Sequence, residues 1–158
     1  RKTNVVANDA VRNPGLNQLR NTLAPLVAGR PFFKSVAESG GHVASMEAVA
    51  AGKADMAAID AVTYAYAQTA LPDMTAQLQV LGHSAPSPTL PLFVRAGTPP
   101  ATRLVVLEAL KQAISDPKHA GLMQQLNIRD VLPITDADLA VVKAYADQVN
   151  ANGYPILR

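Results

Sequence analysis

The chain has 158 residues, a formal net charge of +2, and 49% hydrophobic, 16% charged and 4% aromatic content, which suits one compact domain or one domain with part of another. It has no cysteine, which excludes a disulfide scaffold, thiolate zinc, iron–sulfur ligation and a cysteine nucleophile. Seven basic residues fall in residues 1–79 and seven in 80–158, and there are four Tyr, three Phe and no Trp, so there is no basic stripe and there are few stacking platforms, and nucleic acid is not an expected partner.

Short apolar runs alternate with helical patterns over residues 3–60, which points to βαβ units and a parallel sheet. Val5-Val6-Ala7 is expected as a first strand ending at Asn8-Asp9. Asn13-Pro14-Gly15 then starts a helix, with Asn13 as N-cap, Pro14 at the first helical position, and Leu16, Leu19, Leu23 and Leu26 at helical spacing. Pro25 is expected to bend or end it. Phe32, Phe33 and Val36 give a second strand, and Ser39-Gly40-Gly41 leads into a helix whose apolar face is Val43, Met46, Val49 and Ala50, closed by Gly52. Residues 55–60 read as a third strand running into a helix at about Ala61–Ala70, capped by Asp60 and stopped by Pro72. Residues 77–82 read as a fourth strand. His83 to Pro91, with three prolines in nine residues, is the linker. Beyond it come a strand at Leu92–Ala96 and helices at about Thr102–Ser115, His119–Leu126 and Asp136–Asn150. The expected organisation is a complete α/β lobe over 1–82, a crossing at 83–91 and a mostly helical segment over 92–158.

Standard enzyme signatures are absent: there is no GxGxxG, Walker A, HExxH or GxSxG sequence. His42, His83 and His119 are too far apart to suggest a metal site by spacing, no carboxylate pair stands out for acid–base work, and no cofactor is expected. What remains is positional. In open α/β sheets ligands sit beyond the carboxyl ends of the strands, where helices begin. Three such turns are legible, Asn8 to Gly15, Ser39 to Ser45 and Asp60 to Thr63, and free N–H groups at helix starts suit an anion. The candidate contacts are Asn8, Asp9, Asn13, Gly15, Gly40, Gly41, His42, Ser45, Asp60 and Thr63. Gly40 and Gly41 let a ligand approach the backbone, while His42 and Ser45, three apart, share a helix face directed at the mouth. Each also has a plainer explanation: Asn13 and Asp60 serve as N-caps, the Gly pair as an ordinary turn, His42 as a surface residue, and Tyr64 with Tyr66 as packing.

Taken together, these segments resemble the phosphate/phosphite/phosphonate family of periplasmic solute-binding proteins of ABC transporters. The resemblance is carried by Val5-Val6-Ala7-Asn8-Asp9 with Gly15-Leu16-Asn17-Gln18-Leu19-Arg20, by Ser39-Gly40-Gly41-His42-Val43-Ala44-Ser45 with Val49 and Gly52-Lys53-Ala54-Asp55, by Ala57-Ala58-Ile59-Asp60-Ala61-Val62-Thr63-Tyr64, and by Val80-Leu81-Gly82 leading through Ser84-Ala85-Pro86 to Leu90-Pro91-Leu92. It runs along most of residues 4–115. It implies a type II periplasmic-binding-protein-like fold, a ligand gripped between two lobes with its oxyanion at helix N-termini, His42 and Asp60 at ligand-contacting positions, an ABC permease as partner, and a periplasmic location. Where the family usually carries a serine-rich turn, this chain has Ala10-Val11-Arg12-Asn13-Pro14, so Arg12 or Asn13 would supply the donors. The resemblance also implies that residues 3 to about 80 are the second lobe and residues 92–158 return to a first lobe. Because the chain opens Arg1-Lys2-Thr3-Asn4, that first lobe is expected to be truncated and the strand at Leu92 to Val94 uncovered, favouring self-association. The competing functions are an effector-sensing domain of a regulator, a binder of sulfonate or carboxylate, and a hydrolase using His42 with Ser45 or Asp60.

Overall fold

The structure, a computed structural model, describes residues 3–8, 14–27, 31–88 and 91–151. Its sheet has three strands, β1 (Thr3–Ala7), β2 (Phe33–Glu38) and β3 (Met56–Ala57), in the order β2-β1-β3, with both pairings parallel. The central position of β1 explains its sequence: Val5, Val6 and Ala7 are all buried, as an unbroken apolar run requires when helices cover both faces. Alternation along the strand sends Val5 and Ala7 to one face, where they pack with Leu23 and Ala24 of α1 (Pro14–Val27) and with Phe33. Val6 points to the opposite face, on which α2 (His42–Ala50) lies against β1 and β3.

Pro25 does not end α1, which continues to Val27. A proline forfeits only the bond to the carbonyl four residues before it, and Leu23 and Ala24 are held in the core directly beside it. At the end of β2 the ladder continues into the turn, with Ser39 N donating to Ala7 O at 2.9 Å and Gly40 N to Asn8 O at 3.1 Å. Gly40 there has φ +83°, a left-handed conformation that glycine adopts without a Cβ penalty. Only Met56 and Ala57 of the expected third strand join the ladder, and the chain turns at 58–60 into α3 (Ala61–Ala70). Pro72, expected as a stop, also opens a short helix, α4 (Pro72–Thr75), that packs on α2 and α3.

The expected fourth strand at 77–82 is not formed. Gln77 and Leu78 close turns onto Met74 and Thr75, and the following residues have no ladder. The linker is tied down instead by side chains: Ser84 Oγ donates to Gln18 Oε1 at 2.9 Å, Gln18 Nε2 to Ser87 Oγ at 2.6 Å, and Tyr145 OH to Pro86 O at 2.7 Å.

The chain divides into two compact units, Arg1–Ser87 with Ala140–Arg158, and Pro88–Leu139. The second contains α5 (Pro100–Ser115), a 3₁₀ turn (Pro117–His119) and α6 (Ala120–Gln125), which touch one another and contain no buried residue. Leu92–Ala96 is not a strand, and Leu92 and Phe93 are 72% and 82% exposed. A strand exists by pairing, and no described residue offers this segment a ladder. The last helix, α7 (Asp136–Ala151), opens on a reciprocal cap: Thr135 N and Oγ1 donate to Asp138 Oδ2 at 2.8 and 2.7 Å, and Asp138 N donates to Thr135 Oγ1 at 3.3 Å.

Candidate functional site

The carboxyl edge of the sheet collects polar residues from three consecutive segments. Asn8 directly follows β1, Ser39, Gly40 and Gly41 follow β2, His42 and Ser45 stand in the first turn of α2, and Asp60 caps α3. They form one connected network. Ser39 Oγ and Ser45 Oγ are 2.6 Å apart, Ser45 Oγ donates to Asn8 Oδ1 at 2.9 Å, and Asn8 Nδ2 lies 2.5 Å from Nδ1 and 2.9 Å from Nε2 of His42. The Asp60 backbone N–H points at His42 Nδ1 from 3.4 Å.

The two helix starts differ in a way that matters for charge. Asp60 Oδ1 accepts from Thr63 N at 2.8 Å and from Thr63 Oγ1 at 3.1 Å, so the start of α3 already holds a carboxylate. At α2 the N-cap is Gly41, which brings no side-chain cap. Its first-turn N–H groups are the ones a helix leaves without internal partners, and a Cβ added at Gly41 would meet nothing within 4 Å. An anion is therefore favoured at α2 and repelled at α3. The second carboxylate oxygen of Asp60 has no hydrogen-bond partner among the described residues.

Seven of the sequence candidates, Asn8, Gly40, Gly41, His42, Ser45, Asp60 and Thr63, thus lie on this edge. Ser45, read as sharing the exposed face with His42, is fully buried and turned onto Asn8. The Thr63 hydroxyl is committed to Asp60. Gly15 occupies the second position of α1, while Asp9 and Asn13 lie outside the described residues. Sequence reasoning did not single out Ser39 as a partner of Ser45, and the only trace was its place beside the Gly pair. Among the described residues no group of His, Asp and Glu is arranged to hold a metal, and no helix is long and apolar enough to cross a membrane.

A parallel α/β unit with its polar cluster beyond the strands' carboxyl ends has the architecture of a ligand-binding lobe. A profile of the periplasmic phosphonate substrate-binding proteins of ABC transporters matches residues 19–139, and the chain belongs to that family. Its members are binding components of importers rather than enzymes. No curated protein matches the chain.

Proposed function

We propose that the chain is a solute-binding component of an ABC importer that takes a small oxyanion, a phosphonate or phosphate ester, at the N-terminus of α2. It works in the periplasm and delivers the ligand to a membrane permease. The observation that carries this reading is the pairing of an uncapped helix start at Gly41-His42 with a carboxylate-capped one at Asp60. An oxyanion gains from the first and is excluded from the second, so it has one place and one orientation. His42 supplies a side-chain donor beside the free N–H groups, and the amide of Gly41 can be approached closely. Asp60 takes the other end of the ligand, accepting from an amine or hydroxyl.

Thermal-shift titration tests the reading with methylphosphonate, inorganic phosphate, methanesulfonate, acetate and a neutral sugar. Stabilisation should grow with the phosphonate concentration, reaching about 2.7 kcal/mol at a hundredfold excess over Kd. His42→Ala should reduce it. Stabilisation by methanesulfonate or acetate alone would reassign the ligand class, and stabilisation only by the sugar would remove the reading.

A further inference from the structure

From Gln79 to Val94 no backbone–backbone hydrogen bond is made among the described residues. Chain of this kind is mobile unless side chains hold it, and here they hold one short stretch. Gln18, half-buried on α1, reaches two linker residues at once: its amide oxygen is 2.9 Å from Ser84 Oγ and its amide nitrogen 2.6 Å from Ser87 Oγ. The Ser84 proton is shared with Ala85 O at 3.1 Å. Hydroxyls both donate and accept, so the clasp holds whichever way the Gln18 amide is turned. From α7, Tyr145 OH donates to Pro86 O at 2.7 Å. Pro86 and Pro88 restrict Ala85 and Ser87 to extended backbone, which lowers the entropy that ordering this stretch has to overcome.

The grip ends where the first compact unit ends. The chain passes between its two units at Ser87/Pro88 and again at Leu139/Ala140. Gln18, Ser84, Pro86, Ser87 and Tyr145 all belong to the first unit, and Ser87 is its last residue at the first crossing. The second crossing lies within α7, so Tyr145 ties the linker to the helix that makes the other crossing.

We propose that Gln18 and Tyr145 form a strap that pins residues 84–87 to the first unit and sets the pivot of this crossing at Ser87/Pro88. With the strap closed, the free part of the linker starts at Pro88. With it open, the chain is loose from Gln79 onward. Each bond is exposed and weak by itself, so the strap works by three bonds together and opens without unfolding α1 or α7.

The proposal does not depend on which ligand the protein takes, and it is tested on the whole chain. There is no native cysteine, so spin labels at Glu47→Cys on α2 and Arg103→Cys on α5 mark one unit each. Gln18→Leu combined with Tyr145→Phe should widen the label-to-label distance distribution in pulsed electron paramagnetic resonance. In the unlabelled chain the same pair should lower the backbone ¹⁵N order parameters of Ser84, Ala85 and Ser87 from about 0.85 toward about 0.6 or less. Gln18→Glu, whose carboxylate accepts from both serine hydroxyls, should keep both readouts at the parent values. Tyr145→Phe alone keeps the ring and should move both part of the way, and it carries the comparison if the double variant does not fold. Order parameters already near 0.6 in the parent chain, or a distance distribution unchanged by the variants, overturn the proposal. So does a Gln18→Glu chain that behaves like Gln18→Leu.

Discussion

Asp60 caps α3 and, in the proposed reading, also meets the ligand, and substitution separates the two roles. Its Oδ1 caps α3 through Thr63, so Asp60→Ala should lower stability by about 0.5–2 kcal/mol in denaturant unfolding. Asp60→Asn keeps a capping oxygen and should cost only a few tenths. Both should lose affinity for an aminated phosphonate by calorimetry, and Asp60→Asn should leave methylphosphonate affinity nearly intact. Equal affinity for the aminated ligand in Asp60→Asn would reduce Asp60 to a cap. On α2, Met46 is 1% exposed and Val43 41% exposed, although helical spacing assigned both to one apolar face. Met46→Ala is expected to cost roughly 2–5 kcal/mol by leaving a cavity. Val43→Ala should stay within about 0.5 kcal/mol, and comparable losses would mean that Val43 is covered.

At the scale of elements, helices were more legible than strands. The N-cap and proline signals placed α1 and α3, and the ends of α5 and α7 differ from expectation by a residue or two. The strands at 77–82 and Leu92–Ala96 failed because an apolar run is a strand only if another strand supplies its hydrogen bonds. The Thr135-x-x-Asp138 cap of α7 was present in the sequence as a local signal and gives a pH prediction. Hydrogen bonds from Thr135, side chain first and then backbone, hold the Asp138 carboxyl below the ordinary carboxylate value of 3.8. A depressed folded-state pKa stabilises above the unfolded value, and that contribution is lost as pH falls through the folded one. The amide proton of Thr135 should therefore titrate with a midpoint below about 3.9, the ordinary aspartate value. A midpoint at or above that value would show that the cap does not form. Asp116 is lowered in the same direction, chiefly by the Lys118 side chain and then its backbone N–H, and Lys118 should report it likewise.

Across the whole molecule, apolar surface is distributed unevenly. β1, α1 and α2 contribute buried residues, whereas Leu104 and Val105 on α5 are 61% and 68% exposed, and Leu92, Phe93 and Leu122 are also open. Light scattering of the 158-residue chain should therefore show concentration-dependent self-association. Replacing Leu104 and Val105 by Gln should shift it toward monomer. A chain that stays monomeric at high concentration would show that this surface is tolerated in water.

The sequence by itself determined the parallel α/β character, the apolar first strand and the three turns that carry the polar cluster, because apolar periodicity, caps and glycines act over a few residues. It also placed His42 and Asp60 on the same edge, since both follow strands. What only the tertiary structure decided was which side of α2 faces inward, and therefore that Ser45 turns onto Asn8 while His42 meets the Asp60 amide. Asn8 lies 34 residues from His42 and 37 from Ser45. Contacts over such distances depend on strand order and helix rotation, and local residue patterns do not encode either one.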